Sequence, residues 1–214
     1  MTNRVRFVPV SNARPKLVAI VGGSGAGKTW LADKLQKALR GKAARLSLDN
    51  FYRDRSHLPP AQRAKLNFDH PSAIDWPALE RVLRDLVAGK TARVPCYDFK
   101  THTRLGRSKL RAPKPIILVD GLWLLRRALV RRLFALSIFV DCPRGTRLRR
   151  RLARDLLERG RTRTSVLKQF RDTVEPMHRK YISSQARRAD LILSGNCPQR
   201  EFRLLASRLR GTAG

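Results

Sequence analysis

The chain has 214 residues, the length of one ordinary domain, and 42% of them are hydrophobic, which excludes a disordered chain. Lys and Arg number 47 against 16 Asp and Glu, a formal charge of +31 that attracts polyanions without specifying a fold. Cys96, Cys142 and Cys197 lie far apart with no CxxC spacing, which excludes a zinc ribbon, argues against a disulfide framework and suits a reducing, cytoplasmic setting.

Residues 1–14 read as a basic extension, and residues 15–214 as a single domain without repeat, linker or low-complexity segment. No apolar run approaches the roughly 20 residues of a membrane span. Lys16 to Val21 is a dense apolar run that ends in glycines. Thr29 to Leu39 carries Leu31, Leu35, Ala38 and Leu39 at helical spacing. Arg45 to Leu48 is a second short strand. Asp75 caps a helix with Pro77 in its first turn, Leu79, Val82, Leu83 and Leu86 on one face, and Gly89 as its stop.

From Thr91 to Arg111 the alternation breaks, and the pattern predicts an exposed hairpin or flap. Pro115 to Val119 and Leu136 to Val140 are further buried strands, each followed by an acid, Asp120 or Asp141. Asp141, directly before Cys142-Pro143, reads as a helix cap. Helices follow at Gly145 to Glu158 and Ser165 to Ser184, then a strand at Leu191 to Leu193 and a helix at Gln199 to Leu209. Strands apolar along their whole length, alternating with helices, predict an α/β fold with a parallel sheet of about five strands covered on both faces.

One motif carries chemistry by itself. Gly22, Gly23, Ser24, Gly25, Ala26, Gly27, Lys28 and Thr29 spell GGSGAGKT, a full GxxxxGK[ST] phosphate loop between a predicted strand and a predicted helix. Its backbone N–H groups and the helix N-terminus are expected to cradle a triphosphate. Lys28 is expected to reach the β- and γ-phosphates, and Thr29 to hold Mg²⁺. An acid at the end of an apolar strand, as at Asp120, suits the second metal-side carboxylate.

Four further blocks follow in order: SLDNFYRD (Ser47–Asp54), NFDHPSAIDW (Asn67–Trp76), PCYDFKTHTR (Pro95–Arg104) and RLRRRLARDLLERGR (Arg147–Arg161). With the VLKQF and VEPMH stretches they resemble the uridine kinase family of P-loop kinases over about residues 16–195. The resemblance implies a P-loop NTPase fold with a β-hairpin flap at about 91–112 and an Arg-rich lid at about 154–164. It implies transfer of the γ-phosphate of ATP or GTP, with Mg²⁺, to the 5′-hydroxyl of uridine and cytidine in pyrimidine salvage.

By the same resemblance Asp49 is the base and lies near the metal, and Asp69 holds the ribose hydroxyls, flanked by Tyr52. Tyr97 and His102 read the base, and Phe68 and Phe99 wall the pocket. Arg151 and Gln169 touch the nucleoside. Arg154, Arg159 and Arg161 close over the triphosphate. A homotetramer is the implied assembly, and nucleic acid would bind weakly and without specificity. The chain departs from the family in having Asp120 where Glu is usual, Asn50 beside the base where Ser is usual, and Ser72 where an acid is usual.

Two other readings compete. One is the phosphoribulokinase or pantothenate kinase branch, which the aromatic flap disfavours because a sugar phosphate calls for an anion clamp. The other is a basic nucleic-acid-binding NTPase without kinase activity, motivated by the charge and opposed by intact Asp49, Asp69 and His102.

Overall fold

In a computed structural model, residues 14–63 and 65–212 are described. The basic extension therefore lies outside the described residues, apart from Arg14. The elements are β1 (Lys16–Gly22), α1 (Lys28–Ala38), β2 (Ala43–Ser47), α2 (Pro60–Arg63), α3 (Trp76–Val87), β3 (Ala92–Asp98), β4 (Thr103–Arg111) and β5 (Ile116–Gly121). They continue with α4 (Ala128–Arg131), β6 (Phe134–Asp141), α5 (Arg144–Arg159), α6 (Arg163–Gln169), α7 (Glu175–Met177), β7 (Leu191–Ser194) and α8 (Gln199–Gly211).

Five strands form one parallel sheet in the order β2-β5-β1-β6-β7, and β3 and β4 form a separate antiparallel hairpin. The expected strand count, the parallel sense and the hairpin all hold. Along β1 the side chains alternate between two cores. Leu17, Ala19 and Val21 join Leu79, Leu83 and Trp123 on one face. Val18 and Ile20 join Leu31 and Leu35 of α1 and Phe202 and Leu205 of α8 on the other. Burial on both faces is why these strands read as continuous apolar runs rather than alternating ones.

Asp75 caps α3 as the sequence predicts, accepting from Ala78 N at 3.1 Å. Asp141 does not cap a helix. It is the exposed last residue of β6, and α5 starts behind Pro143 with no side-chain cap. Pro143 supplies a preset φ and leaves no N–H of its own to satisfy, so the start of α5 does without a carboxylate. The segment after α6 winds through π-helical turns at Phe170–Val174 and His178–Ile182 before a 3₁₀ stretch at Ser183–Arg188.

The parallel order places the C-terminal ends of β1, β2 and β5 side by side, with Ser47 paired to Asp120 and Val21 to Gly121. Ligands bind at that edge in open α/β sheets. The glycine loop after β1, Asp49 after β2 and Asp120 on β5 all lie at those strand ends.

Candidate active site

The turn from β1 into α1 is the glycine loop. Gly25 has φ +77°, and a Cβ there would collide with the carbonyl oxygen of Arg147 on α5. Glycine is therefore required both for the turn and for the close approach of α5. Lys28 Nζ donates to the carbonyl of Gly23 at 2.8 Å, so its ammonium is folded back into the loop. Burial lowers its pKa to about 8, against the pull of Asp120 and Asp49.

Thr29 Oγ1 donates to Asp120 Oδ2 at 3.1 Å. Asp120 is buried at the end of β5, where this contact ties it to the start of α1. Asp49 lies in the 3₁₀ turn Leu48–Phe51 that follows β2, and Ser47 caps that turn by accepting from Asp49 N at 3.3 Å. Burial raises the pKa of Asp49, and the charge of Asp120 raises it further, while Lys28, Arg159 and Arg154 pull it down. Thr29, Asp49 and Asp120 are hard oxygen donors of the kind Mg²⁺ takes. Among the described residues no group of three or more His, Cys, Asp or Glu is arranged to hold a metal by itself. A few protein oxygens completed by phosphate and water is the usual Mg²⁺ arrangement.

The aromatic wall is assembled from three blocks distant in sequence. Phe68 stacks on His102 at 4.4 Å between ring centroids and meets Tyr52 edge-on at 5.6 Å. Tyr97 lies 5.2 Å from Tyr52, and Phe99 sits edge-on to Tyr97 at 5.3 Å. Tyr52 O–H donates to the carbonyl of Phe68 at 3.1 Å, tying the two loops together. The hydroxyl of Tyr97 and Nδ1 of His102 are buried without a hydrogen-bond partner among the described residues. Buried polar atoms left in this way mark where a ligand can supply the missing partner. Burial, then the charges of Arg161 and Arg159, lower the His102 pKa and favour the neutral ring.

Asp69 is buried beside this wall. Burial raises its pKa, opposed by Arg151, Arg154, Arg159 and Arg161. All four arginines of the expected lid and nucleoside contacts thus act on one carboxylate. Three of them are gathered by an acid that the sequence reading passed over. Asp155, with no solvent exposure, meets Arg151 Nε at 3.3 Å, Arg154 Nη2 at 2.8 Å and Arg159 Nε at 3.6 Å. Arg151 also reaches Ser24 Oγ at 2.8 Å and Gln169 Oε1 at 2.7 Å, and Arg161 donates to the same Gln169 oxygen. Arg159 lies over Phe99 at 5.6 Å, joining lid to flap.

Two more arginines were missed. Arg150 spans the glycine loop and the turn after β7, donating to Ala26 O at 3.2 Å, Gly195 O at 3.1 Å and Asn196 Oδ1 at 2.7 Å. Arg104 of the flap holds Asp75 Oδ2 at 3.1 Å and Tyr52 O at 3.0 Å. Behind the loop, His178 Nδ1 lies where a Cβ on Gly23 would be 2.8 Å away. Their places inside the blocks Pro95–Arg104 and Arg147–Arg161 were the only signal for Arg104, Arg150 and Asp155.

The phosphoribulokinase / uridine kinase family matches residues 17–200. A uridine kinase of Chloroflexus aurantiacus is 40% identical over 182 residues, covering 85% of this chain and 87% of its own. A uridine kinase of Tolumonas auensis is 38% identical over 200 residues, covering 91% and 94%. Phosphoribulokinase from Rhodobacter spheroides shares the fold with a TM-score of 0.61 at 18% identity, over 85% of this chain and 70% of its own. With the family matched across nearly the whole chain and these relatives alike over most of their length, the protein belongs to the phosphoribulokinase / uridine kinase family.

Proposed function

We propose that the protein is a pyrimidine nucleoside kinase that transfers the γ-phosphoryl group of ATP or GTP to the 5′-hydroxyl of uridine and cytidine. The observation that carries this reading is the aromatic enclosure of Tyr52, Phe68, Tyr97 and His102, with two unpartnered buried polar atoms, in a site that also holds Asp49 and Asp69. A base needs flat apolar faces and a few edge partners, and a ribose needs a carboxylate for its paired hydroxyls. The uridine kinase names of the relatives at about 40% identity support the same substrate.

In this reading Asp69 accepts from the ribose hydroxyls, and Tyr97 and His102 bond the base edge. Asp49 orients the 5′-hydroxyl and takes its proton as the oxygen attacks the γ-phosphorus, and the nucleoside diphosphate leaves from the opposite side. Lys28 leaves Gly23 for the phosphates. Arg154, Arg159 and Arg161 neutralise the charge that spreads over the transferred group. Thr29 and Asp120, with Asp49 nearby, would hold Mg²⁺, which supplies charge neutralisation between the phosphates. Arg151, fixed by Asp155, positions Ser24 and Gln169 at the junction of donor and acceptor.

A phosphate-transfer assay with radiolabelled ATP and uridine, cytidine, ribulose 5-phosphate or pantothenate tests the reading. Labelled UMP and CMP are expected. Absence of both at saturating ATP and Mg²⁺, with label on another acceptor, would overturn it.

A further inference from the structure

Arg45 holds a position that neither the sequence pattern nor the proposed mechanism uses. It lies on β2, in register with Leu118 of β5, two residues before the pair Ser47 and Asp120. Its guanidinium spans two acids, with Nη1 on Asp33 Oδ1 of α1 at 2.7 Å and Nε on Asp120 Oδ1 at 3.0 Å. Thr29 occupies the other oxygen of Asp120 at 3.1 Å. Both oxygens of this buried carboxylate are therefore engaged before any nucleotide arrives, one of them by a fixed cation.

The charge balance has a consequence. Asp49 and Asp120 stand at neighbouring strand ends, and two such carboxylates attract a divalent cation. Arg45 already neutralises Asp120 and fixes the turn of its carboxylate toward Thr29. No group of three or more acidic, His or Cys side chains is available among the described residues to hold a metal by protein ligands alone. A divalent ion must bring further oxygens with it.

We infer that Arg45 is a positioning residue and resident counter-ion for Asp120, and that it makes divalent-metal binding conditional on the nucleoside triphosphate. The inference rests on the reading of Asp120 as the metal-side acid. It assigns to the cation the task of keeping the empty site from filling with free metal.

The probe is Mn²⁺, followed by the electron paramagnetic resonance of the free ion, on the full chain. Wild type is expected to bind Mn²⁺ weakly alone and tightly with a non-hydrolysable ATP analogue. Arg45→Met should gain nucleotide-independent Mn²⁺ affinity by about tenfold or more, because a unit charge beside the site is removed. Arg45→Lys should keep the wild-type pattern, and Arg45→Met with Asp120→Asn should lose the gain. Arg45→Gln, which keeps polar contacts without the charge, serves as a second variant, with circular dichroism and thermal unfolding checking the fold of each.

A folded Arg45→Met or Arg45→Gln protein with no gain, or wild type that binds Mn²⁺ tightly without nucleotide, would overturn the inference. Asp120→Asn alone leaving nucleotide-dependent Mn²⁺ binding unchanged would instead overturn the metal-side reading of Asp120. A merely structural Arg45 would alter unfolding and leave Mn²⁺ affinity where it was.

Discussion

Burial moves the two central charges of the site in opposite senses. Lys28 is brought down to about 8, and Asp49 is raised above its own ordinary value. A triphosphate binds the protonated lysine better, so donor affinity should be full below pH 8 and fall as pH rises through it. Titration calorimetry with an ATP analogue between pH 7 and 9.5 should show that fall, and Lys28→Met should bind weakly and without it. Asp49 acts as base only when ionised, so the acid limb of kcat/KM should lie above that of an exposed aspartate. Asp49→Asn should remove the limb and lower kcat by about 10²–10⁴. The residues easiest to read in sequence were those in motifs: the loop, Asp49, Asp69 and the flap aromatics. Arg45 and Arg150 were hard to read because their partners lie in other elements, and in a chain with 47 cations a single arginine has no local signature. Asp155 finds its arginines on its own helix, but an acid within an arginine-rich helix looks the same whether buried or exposed.

At the scale of elements, α5 organises the site. Its backbone buttresses the glycine loop at Gly25, and its Asp155 collects the arginines. Asp155→Ala would take from buried Arg151 its ion-pair partner on α5, leaving only the charge of Asp69. Removing one member of a buried pair costs about 3–5 kcal/mol, and in a domain this size each kcal/mol is roughly 2–4 °C of midpoint. A loss of about 6–20 °C in Tm is expected by calorimetry, with kcat/KM falling as the lid loosens. Gly25→Ala should separate the loop from α5, and nucleotide affinity should drop by about a hundredfold or more at unchanged nucleoside binding. The strands and α3 were legible because dense apolar runs and an Asp-x-Pro start are local signals. The π turns after α6 were not, since the i→i+5 register leaves the hydrophobic spacing close to that of an ordinary helix. Asp141 misled because an acid before a helix has the same appearance whether or not its side chain turns back to cap.

For the whole molecule, the fold was legible from the alternation of buried strands and helices, but the charge was not explained by the function. A few cations face the site, and most do not. Binding to duplex DNA should be measurable at about 50 mM salt and lost by about 200 mM, with no preference among sequences, because counter-ion release alone drives it. Retention above physiological salt would return nucleic acid to consideration.

Among the described residues no strand pairs with the outer edge of β2. Beside it runs a groove lined by Lys109, Arg111 and Lys114, with Arg45 held by Asp33 and Asp120, and no acid lines it. An open edge invites hydrogen-bonded pairing with the same edge of another molecule. Here such pairing would press each row of cations against its own copy. These few cations would then oppose edge-to-edge pairing of sheets, and salt would weaken that opposition, since exposed charges are screened within about 8 Å at physiological ionic strength.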